Sequence, residues 1–173
     1  SFSPNYPLRC PGAFACGEPS NRTDSLGNAY IAGIEGVPGG CDLWYFDLNP
    51  SSPTYDPNMR NPQYRGQPDA FLKQPSTSIG ADGGGDVDLA VAFGNGSTPT
   101  LAFVSLAIAN VSCGISNDLG KTFTYNNAGN VTGGAAVDDR QWIEFYGSNS
   151  VYLIYRTFQP AVTQIQRSND GGL

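Results

Sequence analysis

Two short stretches carry the residue types that do chemistry. In "VDDRQW", Asp138, Asp139 and Arg140 stand side by side ahead of an alternating run. A guanidinium there could clamp a carboxylate through paired hydrogen bonds, with Asp138 or Asp139 as acid or base. The plainer reading is an ion pair that fixes a loop. In "GADGGGDVD", Asp82, Asp86 and Asp88 sit on Gly-rich backbone. Carboxylates at that spacing suit a hard, oxygen-seeking cation such as Ca²⁺, although the full EF-hand spacing is missing. The alternative is a turn whose aspartates cap backbone amides. Arg22, Asp24, Glu35 and Arg156 are scattered and read as solvated or paired surface charges.

Absences narrow the chemistry. The chain has no histidine, so it cannot by itself build a Ser-His-Asp triad, a Cys-His pair or a His-ligated zinc. Its four cysteines, Cys10, Cys16, Cys41 and Cys113, form no C-x-x-C pair. Even count and wide spacing favour disulfides and an oxidising compartment. The pairing expected is Cys10–Cys16 with Cys41–Cys113, against four buried free thiols. Sequons at Asn21, Asn95, Asn110 and Asn130 agree with a secreted or extracellular-surface protein. Nine Lys and Arg are dispersed in a chain of net charge −6, which argues against a nucleic-acid partner. No apolar run approaches the roughly 20 residues of a spanning helix.

The elements that must position these residues are strands. The 173 residues include 22 Gly, 13 Pro, nine Tyr and nine Phe, the mark of short strands joined by many turns. Three segments share one pattern: "NAYIAGIEGVPGGCDLWYFD", "PTLAFVSLAIANVSCGISND" and "NSVYLIYRTFQPAVTQIQRSND". Each is a strand, a polar or Gly/Pro-bearing connection, a second strand and then Asp47, Asp118 or Asp170. A further strand precedes each one ("EPSNRTD", "DVDLAVAF", "RQWIEFY"), and "KTFTYNN" supplies a return strand. Four antiparallel strands repeated at such a period predict an all-β fold, a β-propeller with about three four-stranded blades visible. The blades fall at roughly 17–75, 84–130 and 138–173, after a Cys-containing segment 1–16, in one partial domain spanning 1–173 with the last blade cut short.

Within "SNDLGKTF", Asp118 can accept amides across a tight turn, Ser116 and Thr122 offer hydroxyls, Gly120 can take a positive φ, and Phe123 leads the next strand. "SNDGGL" repeats the start with Ser168, Asp170 and Gly172. Both resemble the Asp-box, the bacterial neuraminidase repeat. With "GNAYIAGIEGVPGGCDLW", "GGGDVDLAVAF" and "DDRQWIEFYGSNSVYLIY", the chain resembles secreted Asp-box β-propellers of the sialidase-like superfamily over most of residues 17–173. The resemblance implies that the boxes lie on the rim opposite the ligand face. It also implies that the corner at "FDLNPSSPTYD" is rebuilt by its Pro-rich insert, because the first box position is lost there. The sialidase arginine triad, Tyr/Glu nucleophile pair and N-terminal Arg-Ile-Pro segment find no match. Two functions follow as expectations. One is a structural or binding module of a secreted or cell-surface assembly, with the rest of the propeller or other chains as partners and a glycan as ligand. The other is part of a sialidase-like glycoside hydrolase acting on acidic sugars. No cofactor is required by either.

Overall fold

The computed structural model describes residues 5–9, 16–37, 39–69, 83–92, 98–107, 110–126 and 138–172. Among the described residues, eleven strands form three antiparallel sheets. The first sheet runs β1 (Gly17–Thr23), β2 (Ala29–Ile34), β3 (Cys41–Phe46) and β4 (Gln63–Gly66) in sequence order. The middle sheet runs β5 (Val87–Ala92), β6 (Thr100–Ala107), β7 (Asn110–Ser116) and β8 (Thr124–Asn126) in the same way. The third holds β9 (Asp138–Tyr146), β10 (Ser150–Phe158) and β11 (Ala161–Ser168). Among the described residues no helix is long and apolar enough to cross a membrane.

Period-two alternation explains how the sheets stack. On β5, Val87, Leu89 and Val91 face the first sheet, where they meet Tyr30, Ala32, Leu43 and Tyr45. The alternate residues Ala90 and Ala92 face the third sheet, with Val104, Val111, Ile115, Phe145, Val151 and Tyr155. The middle sheet is therefore apolar on both faces, and β5 is buried along its whole length. The first strand of each sheet, β1, β5 and β9, lies next to its counterpart in the neighbouring sheet, so the three sheets fan out from a shared inner edge.

The turn after β7 is held by one carboxylate. Asp118 accepts hydrogen bonds from the amides of Lys121 (3.0 Å) and Thr122 (2.9 Å) and from the hydroxyls of Ser116 (2.8 Å) and Thr122 (2.6 Å). The Ser116 hydroxyl in turn accepts the Gly120 amide at 2.9 Å. Gly120 sits at φ +77°, where a Cβ would come within 3.2 Å of Leu43, and Phe123 packs edge-on against Phe103. The turn after β11 repeats the arrangement: Ser168 donates to Asp170 and accepts the Gly172 amide at 2.9 Å. After β3, Asp47 accepts from the hydroxyls of Ser52 and Thr54 within the Pro-rich segment.

The expected Cys41–Cys113 pairing needs correction. Cys41 and Cys113 are free, buried thiols. Cys41 faces the interface of the first and middle sheets, whereas Cys113 faces that of the middle and third. The body of the middle sheet separates them, and burial pushes both thiol pKa values up, Cys113 to about 12. Cys10 lies outside the described residues, as do Asp82, Asn95 and Asn130. Asn21 is exposed on β1, and Asn110 opens β7.

Candidate functional site

The inner edge of the three sheets forms an open cleft of about 700 Å³, lined from β1 by Glu18, Ser20 and Arg22, from β5 and its entry by Asp86 and Asp88, and from β9 by Arg140 and Trp142. Inner strands place their polar residues here because their apolar alternates are committed to the two sheet interfaces.

Asp88 ties the strands together. One carboxylate oxygen accepts from the Ser20 hydroxyl (2.7 Å) and Arg22 Nη2 (3.3 Å), and the other accepts the Ile143 amide at 3.0 Å. A single buried carboxylate thus bridges β1, β5 and β9, and every partner is satisfied. Its role is to fix the blades to one another.

Asp86 occupies a different setting. Its carboxylate accepts the Arg140 amide at 3.3 Å and lies 3.6 Å from Arg140 Nη1, while its carbonyl accepts Gln141 Nε2 at 2.7 Å. Burial raises its pKa, and hydrogen bonding to the Glu18 carboxyl raises it further, against the pull of Arg140. Glu18 also receives Arg140 Nη1 at 3.1 Å. Two carboxyl groups held against one guanidinium form an arrangement that binds hydroxyl groups, with the carboxyl oxygens accepting and the guanidinium donating. Glu18 and Arg140 both hold positive φ, 41° and 49°. Such backbone costs about 1–3 kcal/mol and clusters at binding and catalytic sites. The Trp142 ring, 55% exposed, forms an apolar wall beside them.

The three residues adjacent in "VDDRQW" do not converge. A β-bulge, where two residues of β9 oppose one of β10, sits at Arg140 and Gln141. Arg140 turns into the cleft, and Asp139 pairs in register with Arg156 of β10. Asp138 turns the other way, into the protein, where it is buried and its Oδ1 has no hydrogen-bond partner. Burial alone raises its pKa to about 6. Among the described residues there is no group of three His, Cys, Asp or Glu arranged to hold a metal, and the Asp86 and Asp88 carboxylates are engaged by protein donors. Asp24, taken above for a surface charge, is buried. It caps the β1–β2 turn by accepting the amides of Leu26 and Asn28 and the Tyr30 hydroxyl, each at 2.9 Å.

Glu18, Ser20 and Trp142 are cleft residues that sequence reasoning missed. The signal was positional: Glu18 enters the first inner strand as Asp86 enters the second and Asp139–Arg140 the third. The weak apolar pattern of "EPSNRTD" hid that equivalence.

Comparison with solved structures decides the architecture. The chain superposes on a mutant of the α-L-arabinofuranosidase from Fusarium graminearum in complex with an iminosugar inhibitor, with a TM-score of 0.60 and 11% sequence identity over 88% of this chain. The fold is that of a β-propeller. The three sheets are its blades, and their inner strands line its axis. The chain spans 45% of that enzyme's length. No protein-family model matches the chain, and no curated protein does.

Proposed function

We propose that the axial cleft binds a saccharide, and that the chain is the glycan-binding part of an extracellular β-propeller assembly. The observation that carries this is the Glu18–Asp86 carboxyl pair under Arg140, set beside the exposed Trp142 ring in one open cleft. Aromatic faces stack on the apolar face of a sugar ring, while charge-assisted hydrogen bonds fix its hydroxyls. A β-propeller neighbour that is a sugar-cleaving enzyme is consistent with this use of the cleft, as an analogy of fold.

The charges favour a neutral sugar over an acidic one. Arg22 is paired with Asp88, and Arg140 with Glu18 and Asp86, so neither guanidinium is left over for a ligand carboxylate. Hydrolysis is the second reading, favoured by the raised pKa of Asp86. The acid and the nucleophile or base of glycosidases stand about 5–9.5 Å apart, whereas Glu18 and Asp86 are hydrogen-bonded to each other. That pair alone supplies one acid and no separate nucleophile, and binding is the stronger reading.

Location and partners belong to the same proposal. The sequons and the two Ser–Asp–Gly corners after β7 and β11, read as Asp-boxes, support a secreted protein. The outer face of the third sheet supports a further sheet as partner: Ile154 of β10 and Ile165 of β11 lie in register, and Ile165 is 64% exposed.

Tryptophan fluorescence titration tests the reading, with a neutral arabino-oligosaccharide and sialyllactose as probes. The neutral sugar should change the Trp142 signal, and Glu18→Gln should weaken its binding on the order of tenfold, the loss of one charge-assisted hydrogen bond. Tighter binding of sialyllactose, or no response to either, would overturn it. Release of free sugar from the oligosaccharide would move the assignment to hydrolysis.

A further inference from the structure

A second, smaller pocket of about 240 Å³ opens at the opposite end of the blades, between the first and middle sheets. It is independent of the axial cleft. Its polar walls include Arg65 of β4, Lys121 of the Asp118 turn and Asp47.

Arg65 is held in place without being satisfied. Its guanidinium lies over the Tyr45 ring, 4.6 Å from the centroid, and Nε donates to the Leu119 carbonyl at 3.0 Å. These contacts fix the plane of the fork on one side. The four N–H groups on Nη1 and Nη2 have no acceptor among the described residues. Neither Arg65 nor Lys121 has a described carboxylate within ion-pair distance. Asp47, the acid in the pocket wall, already accepts from Ser52, Thr54 and the Asn49 amide. Those bonds outweigh its burial and hold its pKa below the ordinary value. A half-buried guanidinium with its paired N–H edge free matches the two-oxygen edge of an oxyanion, and an adjacent ammonium adds a point charge.

The geometry points to a binding site for a compact oxyanion, formed by Arg65 and Lys121 at the turn end of the first two blades. Sulfate and a sugar carboxylate share the paired-oxygen edge it recognises. The pocket has the volume of about eight waters of bulk liquid, room for one such group or one small sugar residue and no more.

Calorimetric titration of the native protein with sodium sulfate, and separately with sodium glucuronate, tests the site at constant ionic strength kept with sodium chloride. At least one probe should bind with 1:1 stoichiometry. Lys121→Ala, on an exposed turn, should weaken that binding on the order of tenfold, as expected for one desolvated charge-assisted contact. Arg65→Met, which keeps the stem over Tyr45, should abolish it. If Arg65→Met fails to fold by circular dichroism, Lys121→Ala carries the test alone. No binding of either probe above chloride, or binding untouched by Lys121→Ala, would overturn the site.

Discussion

At the residue scale, the same side-chain type does three jobs according to its surroundings. Asp88 is buried and fully hydrogen-bonded, Asp86 is half-buried beside another acid, and Asp138 is buried with one oxygen unpartnered. Only Asp138 pays for its position without return, since desolvation is the whole cause of its shift from 3.8 to about 6. The native state therefore binds more protons than the unfolded chain between those values. Stability falls as pH rises from about 4 to about 6 and stays lower above that. Asp138→Asn should accordingly raise the melting temperature at pH 7, by a contribution on the order of 2 kcal/mol, and change it little at pH 4. Melts of both proteins at the two pH values check this, and an equal effect at pH 4 and pH 7 would contradict the assignment.

At the element scale, the strands and their corners were largely legible, and the site was not. The alternation in "DVDLAVAF" and "RQWIEFY" announces β5 and β9, and "SNDLGKTF" announces the turn between β7 and β8. Each rests on local chemistry that a single segment contains. The cleft depends on what neighbouring blades bring to one axis. Nothing inside "VDDRQW" says that a bulge will send Arg140 toward Glu18, 122 positions away, and Asp138 into the interior. The Asp118 turn gives a sharp test. Four hydrogen bonds outweigh desolvation and hold the Asp118 pKa at about 2. Its stabilising contribution is complete above about pH 4 and is lost as pH falls toward 2. Because the turn is partly exposed, solvent screening keeps that contribution modest. Asp118→Ala should lower the melting temperature at pH 7 by roughly 2–4 °C, the shift of about 1 kcal/mol in a domain of this size. The gap from wild type should close between pH 4 and pH 2.

At the scale of the whole molecule, stability comes from stacking three sheets, each covering a face its neighbour cannot leave in water. Paired cysteines suggested a covalent staple across that stack, and the structure places Cys41 and Cys113 in different layers instead. Count and spacing of cysteines say nothing about which face of which sheet a thiol will occupy. Both thiols should resist an aromatic disulfide reagent in the native protein and react fully after unfolding in guanidinium without any reductant. A protein whose unfolded state still hides them would contradict the free-thiol assignment. Stacking also creates the cleft, since inner strands meet only when blades pack side by side.

The central claim, that the axis holds a sugar, is tested most directly by a crystal structure of the protein soaked with a neutral arabino-oligosaccharide. The account predicts a sugar ring lying against the indole face of Trp142, with a hydroxyl within hydrogen-bond distance of both Glu18 and Asp86. A sugar bound elsewhere, or a cleft that stays free of it at saturating concentration, would contradict it.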